Sequence, residues 1–292
     1  MGSALAGASR AARDVFDEVD EALRQNLFRL MRDGPGDELK LTENAQPAIM
    51  ANAIAVFRTM GVRLADVANF VAGHSLGEYS ALCAAGAIDL ATTAKLLKLR
   101  GQAMQAAVPV GEGAMAALLG ADCAKAQEIA DEAAEGQVCT VANDNDPGQV
   151  VISGDRAAVE RAAALAKDKG VKRAVMLPVS APFHCPLMQP AAEAMEKALA
   201  DARIMAPLVP LYANVTASPV SAPDAIRAHL VEQVTGRVRW RESVLAMHAA
   251  GVGTFVEFGG KALGAMVKRS APETETISVI SMDDIEALLK QL

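Results

Sequence analysis

At 292 residues, 52% of them hydrophobic and 22% charged, the chain is large and apolar enough for one big domain, or for a big domain carrying a smaller one. Aromatic residues make up only 3%, so the core has to be built from Ala, Val, Leu, Ile and Met. The net charge of -7 argues against nucleic-acid or anionic-membrane partners, which favour basic surfaces, and no apolar run reaches the roughly 20 residues of a membrane span.

Cys83, Cys123, Cys139 and Cys185 form no Cys-x-x-Cys pair and no metal-ligand spacing, the usage expected of reduced thiols in a cytosolic protein. The stretch from Met1 to Ala12 has no continuous apolar segment of the secretory kind, and Ala6 stands where a myristoylation signal needs Ser or Thr. The expectation is a cytoplasmic protein that uses no metal and no cofactor.

In chain order, Val15, Phe16, Val19, Leu23, Leu27 and Leu30 recur near a helical period and predict a helix over 11–31. Thr42-Glu43-Asn44 reads as the cap of a helix over 45–60, with Pro47 tolerated in its first turn. The apolar run 67–72 stops at Gly73 and predicts a short buried strand. A small-residue helix from about 75 and a further helix over 90–107 follow. Strands are then predicted over 114–119, 138–142, 149–153 and 173–179, and helices over 123–134 and 156–169. Asp144-Asn145-Asp146-Pro147-Gly148 reads as the turn joining the middle two strands. This β-α-β-β-α-β order is that of a ferredoxin-like unit, entered at Pro109, Gly111 and Gly113 and left at Pro178 and Pro182. Beyond it come a helix over 186–201, a strand over 209–213, helices over 222–234 and 242–250, a strand over 254–258, a helix over 261–269 and a last strand and helix. The expected fold class is α/β: a large domain with a mostly parallel sheet, in two pieces over 1–110 and 181–292, and an inserted ferredoxin-like subdomain over 111–180.

The most informative stretch is Gly73-His74-Ser75-Leu76-Gly77-Glu78-Tyr79-Ser80. Gly-x-Ser-x-Gly between a strand and a helix is a nucleophile elbow. The turn strains the serine backbone, and glycines on either side remove side chains that would meet neighbouring backbone. Ser75 then projects at a helix N-terminus, where the Leu76 amide and the helix dipole can stabilise an oxyanion. A serine hydroxyl needs a base. Of the four histidines, His74 adjoins the serine and should point elsewhere, while His229 and His248 fall in predicted helices. His184 lies in the irregular junction Ser180-Ala181-Pro182-Phe183-His184-Cys185-Pro186 and is the candidate base. The pattern Gly111-Glu112-Gly113-Ala114-Met115-Ala116 imitates a dinucleotide-binding loop, but a strand, not a helix, is predicted after it.

Gly-His-Ser-Leu-Gly-Glu-Tyr-Ser, Arg100 in Leu99-Arg100-Gly101-Gln102, Asn143-Asp144-Asn145, Pro147-Gly148-Gln149-Val150-Val151, Ser180-Ala181-Pro182-Phe183-His184 and Val231-Glu232-Gln233 together resemble bacterial malonyl-CoA:acyl carrier protein transacylases, in order over about residues 10–270. The resemblance implies an α/β-hydrolase-like large domain with a ferredoxin-like insertion. It implies malonyl-CoA and acyl carrier protein as partners and a malonyl ester on Ser75, with His184 as base and then acid. It further implies that the backbone carbonyl of Gln233 orients His184, that Arg100 grips the malonyl carboxylate, and that Met104 and Asn143 line the crevice. Phe183 resembles the pattern of malonyl-selective polyketide acyltransferases. Acyl transfer for polyketide synthesis or malonate decarboxylation, a serine esterase and an inactive carrier-binding protein are the competing readings.

Family members begin with a short buried strand and a Pro-Gly-Gln-Gly-Ser-Gln turn, and Met1-Gly2 aligns just beyond that turn. The expectation is that the chain as written is poorly soluble or weakly active. For docking an acidic carrier protein, Arg237, Arg239 and Arg241 with Lys261, Lys268 and Arg269 form the candidate basic surface.

Overall fold

The computed structural model describes residues 1–292. Its strands are β1 (Val71–Ala72), β2 (Gly113–Leu119), β3 (Cys139–Asp146), β4 (Gln149–Asp155), β5 (Arg173–Met176), β6 (Leu211–Ala213), β7 (Ser218–Val220), β8 (Thr254–Phe258) and β9 (Glu275–Val279). β2 to β5 form an antiparallel sheet in the order β3-β4-β2-β5, with the helices Cys123–Ala134 and Arg156–Asp168 packed on it. This is the ferredoxin-like arrangement, and it has its own core of 17 buried residues, from Ala114 to Val171. A separate core of 41 buried residues is drawn from both sides of the insertion, from Leu5 to Val108 and from Ala181 to Leu288. These are the two largest of the chain's five apolar clusters, and no residue is shared between them.

The remaining strands fall in two pieces. β1 pairs in parallel with β6, which pairs antiparallel with β7; β8 and β9 form a parallel pair of their own. β1 and β8 therefore each have a partner strand on one side only. β1 is also shorter and less buried than the apolar run 67–72 predicts, because Leu64–Val67 closes a helical turn before it.

Helices supply most of the large core. The predicted helix over 11–31 is two helices, Arg10–Leu23 and Leu27–Asp33, separated where Arg24 takes φ 49°. Leu90–Ala107 is capped by Asp89, whose carboxylate accepts from the Thr92 amide at 2.7 Å. Its buried stripe runs Leu90, Thr93, Ala94, Leu96, Leu97, Arg100, Gly101 and Met104, so the 3.6-residue period carries Arg100 inward among aliphatic neighbours. Gly101 lets this helix meet Thr42–Thr59 closely, since a Cβ there would lie 2.4 Å from the Glu43 backbone. That approach brings Gln46 to Arg100. In Pro223–Thr235, Ile226, Leu230, Gln233 and Val234 form the buried stripe, and Gln233 enters the core by the same periodicity.

Asp144, Asn145 and Asp146, expected in the turn, belong to β3, which runs on through bulges to the tight turn at Pro147 and Gly148. β3 is hydrogen-bonded to the large part at Val238, whose amide donates to Ala142 O at 2.8 Å and whose carbonyl accepts from Asp144 N at 2.9 Å. No helix is long and apolar enough to cross a membrane.

Candidate active site

Ser75 connects β1 to the helix Leu76–Ala84 and adopts φ 54° and ψ -111°, a conformation that costs a non-glycine residue energy and that the surroundings must enforce. Two features enforce it. A Cβ on Gly73 would stand 1.9 Å from Gly77 O, so the turn closes only with glycine at 73; at Gly77 a Cβ would meet nothing. Asn214, just past β6, accepts from Ser75 N through Oδ1 at 2.8 Å and donates from Nδ2 to Gly73 O at 2.7 Å, clamping both arms of the turn. Leu76 is the first residue of the helix, where amides have no intrahelical acceptor.

The structure brings Ser75, His184, Arg100 and Gln233 together. Ser75 Oγ lies 2.7 Å from His184 Nε2, and His184 Nδ1 lies 2.8 Å from the carbonyl oxygen of Gln233. A carbonyl can only accept, so the Nδ1 proton is on the imidazole and Nε2 is the free lone pair; the serine hydroxyl donates to it. Burial, reinforced by the Arg100 charge, pushes the His184 pKa down to about 3, which keeps the ring neutral and able to accept a proton. His184 takes φ 58°, so its junction is held in a sparsely populated conformation as the elbow is.

Arg100, 2% exposed, donates from Nη2 to Ser75 Oγ at 3.1 Å and to Gln233 Oε1 at 2.8 Å, and from Nη1 to Gln46 Oε1 at 2.7 Å. Its Nε is buried without an acceptor. Burial lowers its pKa from the usual arginine value, while Tyr79 and Glu78 oppose that shift. Met104, 1% exposed, packs beside this group with its Sδ 3.8 Å from Gln46 Nε2. Asn143 is buried at the β3 bridge to Val238, and no hydrogen bond joins it to the other four residues. His74 turns away, donating from Nε2 to Asn145 Oδ1 at 2.8 Å. No group of three His, Cys, Asp or Glu side chains could hold a metal ion.

Three residues of the site escaped sequence reasoning. Gln46 holds Arg100, Asn214 clamps the elbow, and Glu78 is a fully buried carboxyl whose Oε2 accepts from Gln233 Nε2 at 2.8 Å and from Asn214 N at 3.1 Å. Burial raises the Glu78 pKa to about 7. Glu78 stands in the elbow motif itself, three residues past the serine, and its position on a helix face with Tyr79, Ala81 and Leu82 was the available signal. Gln46 likewise stands among the buried Ala48, Met50 and Ala51; Asn214 had no such pattern around it.

Three of the six residues of the proposed basic docking surface pair closely with carboxylates of the chain. Arg241 donates to Asp144 through Nε and Nη2, at 3.0 and 2.8 Å, and Arg269 to Asp146 at 2.8 Å. Arg239 binds Glu242, Arg237 donates to Cys123 Sγ at 2.8 Å, and Lys268 donates to the carbonyls of Pro272 and Thr274. A cleft of about 310 Å³ lies beside them, lined by Gln127 and Val141 of the insertion and by Val215, Glu232, Gly236, Arg237 and Arg239 of the large part. Ser75, His184 and Arg100 do not line it.

The acyl transferase domain family matches residues 1–281. The malonyl CoA-acyl carrier protein transacylase of Bacillus subtilis (strain 168) is 43% identical over 297 residues, covering 100% of this chain and 92% of the relative. A crystal structure of an acyl-carrier-protein-S-malonyltransferase from Bartonella henselae is 52% identical, with a TM-score of 0.97 over 100% of this chain and 94% of that one. A malonyl-transacylase in complex with its type II polyketide synthase acyl-carrier protein is 38% identical, with a TM-score of 0.97 over 100% of this chain and 95% of that one. A serine in an enforced elbow, a neutral histidine against it and these likenesses over the whole chain agree: the chain belongs to the acyl transferase family, among the malonyl-CoA:acyl carrier protein transacylases.

Proposed function

We propose that the chain transfers the malonyl group of malonyl-CoA to the phosphopantetheine thiol of acyl carrier protein, by way of a malonyl ester on Ser75, and supplies fatty-acid synthesis in the cytoplasm. The observation that carries this reading is the relay from Ser75 Oγ to His184 Nε2 at 2.7 Å and from His184 Nδ1 to Gln233 O at 2.8 Å, with a buried arginine on the same hydroxyl. In the first half-reaction His184 takes the hydroxyl proton as Oγ attacks the thioester carbonyl. The oxyanion forms at the start of the helix Leu76–Ala84, where the Leu76 N–H donates to it. The C–S bond then breaks and the coenzyme A sulfur leaves with the proton from His184. In the second half, the carrier thiol gives its proton to His184 and attacks the ester, and Ser75 departs as the free hydroxyl. Gln233 O provides a neutral partner where a triad has a carboxylate, and holds the Nδ1–H tautomer throughout.

Arg100 is the residue we assign to the malonyl carboxylate. An incoming carboxylate takes the place of Ser75 Oγ and of neutral amide oxygens as acceptor, and a guanidinium binds it bidentately. Met104 and Asn143 remain candidates for the crevice wall, and the division at 1–110, 111–180 and 181–292 is our proposed domain scheme. The test is to isolate the acylated chain free of malonyl-CoA and mix it with carrier protein bearing phosphopantetheine. Loss of the ester in step with appearance of malonyl-carrier is expected. Release of free malonate without carrier acylation would make the chain a hydrolase instead.

A further inference from the structure

One carboxylate oxygen stands behind both reacting side chains. Oε2 of Glu78 accepts from the Asn214 amide and from the Gln233 side-chain amide, at 3.1 and 2.8 Å. Through Asn214 it reaches the elbow, because the Asn214 side chain holds Ser75 N and Gly73 O. Through Gln233 it reaches the base, because the Gln233 backbone carbonyl holds His184 Nδ1. Gln233 Nε2 also donates to Ser75 O at 3.0 Å. With both acceptors facing Nε2, the amide cannot flip, and Oε1 is left to accept from Arg100. Glu78 touches neither Ser75 Oγ nor the His184 ring, and its other oxygen, Oε1, is buried without a partner.

We propose that Glu78 is a positioning residue for acyl transfer, which through Asn214 and Gln233 sets the geometry of Ser75 and His184 together. This rests on the Ser75 transferase reading and deepens it. The accepting role of Oε2 survives protonation, since the proton can reside on Oε1. It therefore requires an acceptor at that point and not a charge. Glu78→Gln can present its amide oxygen at the same place. Glu78→Ala leaves the Asn214 amide and one Gln233 N–H without their acceptor, so the Gln233 amide is held only by Ser75 O and Arg100 and can shift. A misplacement of reacting groups of this order typically costs about 100-fold in rate.

The test is rapid-quench acylation of the full chain by malonyl-CoA and, separately, by acetyl-CoA. Ser75 ester is read by mass spectrometry per folded molecule, with folding checked by circular dichroism. The expected result is a loss of about 100-fold for Glu78→Ala with both acyl donors, with at least tenfold of it recovered in Glu78→Gln. Glu78→Asp, which draws the acceptor back by one methylene, is measured alongside in case Glu78→Ala does not fold, and should lose about tenfold with both donors. Parent rates per folded molecule in Glu78→Ala or Glu78→Asp would overturn the proposal. So would equal losses in Glu78→Ala and Glu78→Gln, or a loss confined to malonyl-CoA, which would place the effect on Arg100 alone. Absence of any Ser75 ester in the parent chain is a separate result: it defeats the transferase reading itself, and this proposal with it.

Discussion

Ser75 Oγ donates to His184 and accepts from Arg100 in the same arrangement, so the proposed nucleophile, base and carboxylate anchor are mutually positioned. If Arg100 grips the malonyl carboxylate, Arg100→Ala should slow Ser75 acylation by malonyl-CoA by about 100-fold or more while changing acetyl-CoA far less, because only malonyl brings a charge into the site. Equal losses for the two donors would reduce Arg100 to a support for Ser75 and Gln233. The depressed His184 pKa predicts that its imidazole stays neutral, with the proton on Nδ1, from pH 8 down to pH 5; a ¹⁵N titration of the ring near its ordinary value would contradict it. For Glu78 the sign is the reverse of the usual carboxylate. Its folded pKa, about 7, lies above the ordinary 4.5, so its protonation stabilises the fold fully below pH 4.5, and that contribution is lost as pH rises through 7. Glu78→Gln cannot ionise. Its melting temperature should therefore gain on the parent between pH 5 and pH 8, by the equivalent of up to about 3 kcal/mol. A pH-independent difference would show that Glu78 is not buried as a neutral acid. Ser75 and His184 were legible in the sequence because chemistry restricts them to few residue types in recognisable surroundings. The polar residues that hold them were not, since Gln46, Glu78 and Asn214 work through geometry that only packing creates.

At the scale of elements, each functional side chain is delivered by a local rule. The helical period turns Arg100 and Gln233 inward, and the elbow turns Ser75 out between β1 and its helix. Gly73→Ala should abolish the elbow, since its Cβ would stand inside van der Waals contact of the Gly77 backbone, whereas Gly77→Ala meets open space. The expected outcome is loss of Ser75 acylation in the first variant and retention in the second, measured on folded protein. Equal behaviour would mean that the turn relaxes. The long periodic helices and the β-α-β-β-α-β order were readable, as their patterns extend over many residues. The short elements were not. β7 contains Pro219 and only three residues, and β1 is cut short by a helical turn that 67–72 gave no sign of. β1 and β8 expose one unpaired edge each, with Val71, Phe255, Val256 and Phe258 only partly buried. Such edges favour association between chains. Light scattering that rises with concentration, and falls when the exposed Thr254 of β8 is replaced by Lys, is expected.

Over the whole molecule, three consecutive residues of β3 join the inserted unit to the large part: Asp144 to Arg241, Asn145 to His74 and Asp146 to Arg269. Asp144 and Asp146 are buried while Arg241 and Arg269 keep part of their side chains in solvent, so each pair satisfies a buried carboxylate from the surface side. The sequence showed both the acidic run and the arginines, but placed the acidic run in a turn; that Asp144 meets Arg241 and Asp146 meets Arg269 follows only from how the inserted unit packs on the rest. All of this rests on Ser75 as the acyl carrier of the reaction. The most direct test is peptide mapping after brief exposure of the chain to malonyl-CoA alone. The account predicts a malonyl ester on the peptide containing Ser75, absent in Ser75→Ala and discharged by carrier protein bearing phosphopantetheine. An adduct that persists in Ser75→Ala, or that maps to another residue, would contradict it.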